Sequence, residues 1–192
     1  MESLLISAGV VALAEIGDKT QLLAFLLAAR FRKPVPIVVG ILVATLLNHG
    51  IAGALGAWIT THVDPAIMRW VLGLSFLGMA AWTLIPDEIE TDEARFANRL
   101  GVFGATFVTF FLAEMGDKTQ IATVALAAHY GTPVVVIIGT TAGMLIADVP
   151  AVLVGEKLSA RIPMKLVHSI AAAIFALLGI MTVLGVGAGF GL

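Results

Sequence analysis

Apolar residues fill this chain in six long blocks, and the polar residues that interrupt them carry most of the information. The blocks fall at roughly 3–29, 34–60, 66–85, 100–128, 133–155 and 164–188. A helix needs about 20 mainly apolar residues to cross the hydrocarbon of a bilayer, so each block predicts one transmembrane helix. The connectors are short and carry stop signals. Arg30, Arg32, Lys33 and Pro34 end the first block, Asp64 and Pro65 separate the second from the third, and Pro86 through Asn98 form a charged bridge. His129 to Pro133 and Glu156 to Pro163 divide the remainder. The first block lacks a positive leader, having Glu2 in its place, and Lys19 interrupts it before any small-residue cleavage pattern, so it reads as a retained span.

Sliding the chain against itself by 99 positions, the distance from Glu15 to Glu114, aligns LAEIGDKTQ with LAEMGDKTQ. The same shift brings Pro34, Gly40 and Gly56 onto Pro133, Gly139 and Gly155. Each copy holds three predicted spans. Because three is odd, the second copy enters the membrane from the opposite side, and the pair is related by a pseudo-twofold axis in the membrane plane. The expected fold is an all-α integral membrane protein of six transmembrane helices, built as two inverted three-helix repeats. Residues 1–86 form the first repeat, 87–99 an acidic cytoplasmic connector, and 100–192 the second repeat. Positive residues set the orientation. Arg30, Arg32, Lys33, Arg95, Arg99, Lys157, Arg161 and Lys165 fall in connectors one, three and five, against Arg69 alone on the other side, which places both termini outside.

Composition agrees with the pattern. With 59% hydrophobic and 12% charged residues, the 192-residue chain has too little polar surface to cover a soluble globule. A net charge of −2 offers no basic field for nucleic acid. The absence of cysteine removes disulfides, thiolate metal sites and thiol catalysis, so a bound metal must be held by oxygen or imidazole.

The candidate chemistry lies in the repeated motif. On a continuous helix, Glu15, Asp18 and Lys19 fall within an arc of roughly 100°, as do Glu114, Asp117 and Lys118. Each charge at mid-membrane costs on the order of 2.5–3.5 kcal/mol, and three together oppose insertion by roughly 9 kcal/mol before pairing. They are expected to face their counterparts in the bundle interior, with Gly17 and Gly116 letting the backbone bend or approach closely. Antiparallel copies would bring Glu15 and Glu114 together near the midplane, with Asp18 about 4.5 Å to the cytoplasmic side and Asp117 as far outward. Four carboxylates against two lysines leave an excess of two negative charges, which suits one divalent cation. Thr20, Gln21, Thr119 and Gln120 stand by as neutral oxygen ligands or supporting donors. Two other readings stay open: ion pairs that merely pin two helices, and intramembrane catalysis. The second finds no His-Glu-x-x-His, Gly-x-Ser-x-Gly or cysteine nucleophile to build on.

A doubled Glu-x-Gly-Asp-Lys-Thr in two three-helix halves resembles the GDT family of small cation/proton exchangers, which includes bacterial manganese exporters and Golgi manganese/calcium transporters. The likeness covers essentially the whole chain, in its compact bacterial form with no added N-terminal targeting segment. It implies that Glu15, Asp18, Glu114 and Asp117 bind the transported cation, and it supplies the names Mn²⁺ and Ca²⁺. The expected activity is therefore secondary transport: export of Mn²⁺, or Ca²⁺, in exchange for protons by alternating access at a bacterial inner membrane. No enzyme activity and no resident cofactor are expected. The expected partners are the cation, protons and lipid; nucleic acid is not among them, and a homo-oligomer is left open. A membrane scaffold and an exporter of a small cationic solute are the alternatives.

The repeat is broken at one informative place. His49 of the second span aligns with Asp148 of the fifth, and neither is cheap to bury. Asp148 is expected on the cytoplasmic side near Asp18 as an extra cation or proton ligand. His49, with Asn48, is expected outward near Asp117 as a proton-sensitive gate. The plainer alternatives are a neutral histidine bonded to a neighbouring helix, and a carboxylate capping groups freed by a kink at Pro150. Trp58, Trp70 and Trp82 read as interfacial anchors, the bridge near residues 87–99 as a solvated connector, and Gly73 and Gly78, with Phe76 aligned on Phe175, as close-packing helix surface.

Overall fold

A computed structural model describes residues 1–85, 100–154 and 164–185. The acidic connector 87–99, the fifth connector and the glycine-rich tail past Gly185 lie outside the described residues. Within them the chain is entirely helical, with eight helices: α1 Glu2–Glu15, α2 Lys19–Phe31, α3 Pro34–His62, α4 Pro65–Trp82, α5 Gly101–Glu114, α6 Lys118–Tyr130, α7 Pro133–Val154 and α8 Met164–Leu184. The expectation of six continuous helices is corrected here. The blocks 3–29 and 100–128 each divide in two, α1 with α2 and α5 with α6, and both breaks fall on the repeated motif.

The breaks follow from the motif itself. Ile16 and Met115 are extended, with ψ of 113° and 117°, Gly17 and Gly116 have φ of +87° and +77°, and Asp18 and Asp117 are extended again. Only glycine adopts that positive φ without steric cost. Stopping a helix inside an apolar block leaves amides without partners, and the motif provides for this. The Gly17 N–H donates to Oε1 of Gln21 at 2.9 Å, and the Gly116 N–H to Oε1 of Gln120 at 2.8 Å. Ends and starts elsewhere also match across the repeat. Arg32 and Gly131 close α2 and α6 in left-handed conformation, their N–H groups donating to Ala28 and Ala127. Pro34 and Pro133 then open α3 and α7, where the missing N–H is no loss.

Packing interleaves the halves. The first helix of each copy runs along the third helix of the other, α1 on α7 and α5 on α3, while α2 reaches α7, α6 reaches α3, and α3 crosses α7. The crossings match residue by residue. At Gly40 a Cβ would stand 2.8 Å from Cβ of Thr106 and 3.1 Å from the Phe103 carbonyl; at Gly139 it would stand 3.0 Å from Cβ of Ser7 and 2.7 Å from the Leu4 carbonyl. Positions 7 and 4 are 106 and 103 less the repeat offset. The fourth helices, α4 and α8, pair along the side of the bundle, where the aligned Phe76 and Phe175 stack with centroids 6.5 Å apart. Gly73 meets Gly179 and Val183 there, as expected of a packing surface. Gly78, expected to do the same, has nothing within 4 Å of a Cβ and is corrected to an open position.

Polarity is distributed inside out. Leu46, Leu47, Ile51, Leu55, Trp58, Trp70, Ile138 and Ile146 are exposed, whereas Glu15, Asp18, Asn48, His49, Glu114, Asp117, Lys118 and Asp148 are buried. In water such an exterior is unfavourable; against lipid it is the stable arrangement. Among the described residues, two helices, Pro34–His62 and the 133–153 part of α7, are long and apolar enough to cross a membrane.

Candidate metal site

The two breaks face each other and bring both copies of the motif together. Helices α1 and α5 end at Glu15 and Glu114, and both glutamates are fully buried. Each is held by its own repeat. The Thr20 hydroxyl donates to Oε2 of Glu15, and the Thr119 hydroxyl donates to Oε2 of Glu114 at 2.8 Å. This leaves Oε1 of each glutamate buried without a hydrogen-bond partner among the described residues.

The aspartates are held by the opposite repeat. Lys19 Nζ lies 3.1 Å from Oδ1 of Asp117, and Lys118 Nζ lies 3.1 Å from Oδ1 of Asp18. The reading of each Glu/Asp/Lys set as one continuous helical face is therefore corrected. The broken backbone turns lysine and aspartate toward the other copy rather than toward each other, and the axial stagger drawn from straight helices does not describe this arrangement. Oδ2 of Asp117 also lacks a hydrogen-bond partner among the described residues. One carboxylate oxygen from each of Glu15, Glu114 and Asp117 can be chosen so that all three lie within 4.8 Å of one another, close enough to share a metal ion. Buried carboxylate oxygens left unpaired are costly, and a hard cation satisfies such a set directly.

Gln21 and Gln120 do not reach this cluster as free oxygen donors, because their Oε1 atoms cap the broken backbone. Their amide groups tie the motif to the crossing helices. Gln21 Nε2 donates to the Ala147 carbonyl at 2.9 Å, and Gln120 Nε2 to Oδ1 of Asn48 at 3.3 Å. Asn48 in turn donates to the Phe111 carbonyl at 3.0 Å, so it braces α3 against α5 and α6.

Asp148 and His49 are both fully buried. Asp148 stands within electrostatic range of Asp18 and Glu15. Neither of its oxygens accepts a hydrogen bond among the described residues, and α7 continues through Pro150, so the carboxylate does not cap a kink there. Both ring nitrogens of His49 also lack a partner, so no bond to a neighbouring helix holds the ring among the described residues. Sequence reasoning passed over Thr45 and Thr141, whose buried hydroxyls also lack hydrogen-bond partners among the described residues. They precede His49 and Asp148 by one and two helical turns, and that spacing inside apolar blocks was the signal available to find them.

A family model described as divalent cation/proton antiporter GDT1 matches residues 3–91 and 102–188. A Vibrio cholerae protein named "Putative manganese exporter" is 49% identical over 95% of this chain and 90% of its own length. A GDT1-like protein of Synechocystis is 31% identical over 90% of this chain and 92% of its own length, and GDT1-like protein 3 of Oryza sativa subsp. indica is 28% identical over 91% of this chain and 71% of its own. No solved structure matches.

Proposed function

Because the chain belongs to the divalent cation/proton antiporter GDT1 family, we propose that it exports Mn²⁺, with Ca²⁺ as a second substrate, in exchange for protons across a bacterial inner membrane. Cation transport is the family's activity; the metal, the direction and the mechanism are our reading. The observation that carries it is the set of buried, unpartnered carboxylate oxygens on Glu15, Glu114 and Asp117. The name of the Vibrio relative supports manganese as the metal.

In this reading the six apolar blocks cross the bilayer as two inverted repeats, and the breaks at Gly17 and Gly116 lie near the midplane. At 14 and 13 residues, α1 and α2 reach about 20 Å each at 1.5 Å per residue, too short for either to span about 30 Å alone. Interrupted helices that meet at a polar centre are a recurring design of secondary transporters. The carbonyl ends of α1 and α5 add negative partial charge where the cation binds.

Charge balance gives the exchange its logic. Glu15, Asp18, Glu114 and Asp117 with Lys19 and Lys118 sum to −2, which one divalent cation or two protons neutralise. Moving a divalent cation outward against about 100 mV costs roughly 4.6 kcal/mol from the potential alone, and two entering protons cancel that term. Asp148 serves as a further cation or proton ligand beside Asp18, and His49 as a proton-sensitive gate on the other side. A scaffold in which the charges only pin helices would draw on the two cross-repeat ion pairs. It leaves the unpartnered carboxylate oxygens of Glu15, Glu114 and Asp117 with no purpose. In proteoliposomes an imposed proton gradient is expected to drive Mn²⁺ movement, and Glu15→Gln or Glu114→Gln to lower it at least about 100-fold, as for loss of a metal ligand. Scaffold behaviour would be no Mn²⁺ flux in the parent protein. Competition by amines in place of divalent cations would instead identify a small cationic solute as the substrate.

A further inference from the structure

The repeat predicts equal surroundings for Asp18 and Asp117, and the structure gives them unequal ones. Asp117 shares the triad with Glu15 and Glu114, and its lysine partner, Lys19, keeps 27% of its side chain exposed. Lys118, the partner of Asp18, is 2% exposed over an aspartate that is fully covered. Both aspartates are covered, at 3% and 0% of the side chain, so the pairs differ at the lysine: the Lys19 side chain reaches an open surface and can swing away, whereas Lys118 is enclosed, although the residues, the repeat positions and the 3.1 Å contacts are the same.

We propose that Lys19 and Lys118 are alternating clamps: the cation uses Asp117 as its third carboxylate on one face of the membrane and Asp18 on the other, and the lysine of the opposite repeat covers whichever aspartate is out of use. This rests on the transport reading above. Halves related by an inverted repeat reach the oppositely facing state by exchanging conformations. Applied to this structure, that exchange leaves Glu15 and Glu114 in both triads, replaces Asp117 by Asp18, seals Lys19 and opens Lys118. An entering cation competes with the ammonium of the open pair. The sealed ammonium cancels the charge of its ionised aspartate, so the cation is not drawn through to the far side while the near side is open. Lysine suits this task because it is a compact charge on a flexible stem that leaves its partner readily, whereas arginine would grip the carboxylate with two bonds.

The test is Mn²⁺ transport by the full chain in uniformly oriented proteoliposomes, with Mn²⁺ varied separately on each face. Removing a clamp removes the cation's competitor on one face and the seal on the other. Lys19→Gln is expected to lower KM for Mn²⁺ roughly fivefold on one face with less than about a twofold change on the other, while kcat falls; Lys118→Gln does the same with the faces exchanged. Lys19→Arg and Lys118→Arg, which keep the charge and guard against loss of folding, are expected to raise KM on the corresponding faces. Equal KM shifts on both faces, a rise in KM for the Gln variants, or no shift at all overturns the clamps. Glu15→Gln separates the two levels of the account, since it removes a ligand common to both triads and should stop flux from either face. If Glu15→Gln transports normally, the cation site is wrong; if it is inactive and the lysine variants shift both faces alike, only the clamps are wrong.

Discussion

At the scale of residues, each letter of the repeated motif has its own task. Glutamate offers a buried oxygen, threonine holds the glutamate, glycine turns the chain, aspartate and lysine pair across the repeat, and glutamine caps the break. Gly116 isolates the turning role, because a Cβ there would meet nothing within 4 Å and only its φ of +77° resists substitution. Gly116→Ala is therefore expected to cost about 1–2 kcal/mol, read as a lower thermal midpoint in detergent. Asp148→Asn is expected to lower Mn²⁺ transport and flatten its pH profile while leaving the thermal midpoint in place, because its oxygens make no hydrogen bond to lose among the described residues. Unchanged flux and pH profile would remove Asp148 from the machinery. The four motif carboxylates could be singled out from the sequence because charges inside apolar blocks are expensive. The Lys19–Asp117 and Lys118–Asp18 pairing could not, since periodicity describes a continuous helix and these side chains straddle a break.

At the scale of elements, helix identity followed from apolar length, and helix interruption did not. Residues 34–62, 65–82, 133–154 and 164–184 are helices close to the bounds expected of their blocks. Gly17 and Gly116 signalled a bend, yet a lone glycine is compatible with a helix interior, and the glutamine cap that makes a full stop stable is visible only in three dimensions. Glycines in the fourth helices show the same limit. Gly73 and Gly78 looked alike in the sequence, but Gly73 lies against the backbone of Gly179 and the side chain of Val183, whereas Gly78 faces open space. Gly73→Ala is expected to destabilise by about 1–3 kcal/mol through overpacking. Gly78→Ala should be neutral or stabilise by up to about 1 kcal/mol through helix propensity. Thermal unfolding of the two variants in the same detergent distinguishes them, and equal loss in both would contradict the packing described for α4 and α8.

At the scale of the whole molecule, duplication produces one interlocked body. Because α1 lies on α7 and α5 on α3, neither half encloses a site alone, and both motifs are needed to assemble the carboxylate triad. The 99-residue offset made this architecture legible, and matched crossings at Gly40 and Gly139 show how closely the copies correspond. The departures from symmetry are His49 against Asp148 and an open against an enclosed lysine, and our proposals place gating and direction there. All of it depends on Glu15 and Glu114, from opposite repeats, gripping one divalent ion. Equilibrium Mn²⁺ binding to the purified protein tests that most directly. The account predicts about one ion per chain, set by the net charge of −2 on the motif residues, and its loss in Glu15→Gln and in Glu114→Gln with folding retained. Undiminished Mn²⁺ binding by either folded variant would contradict it.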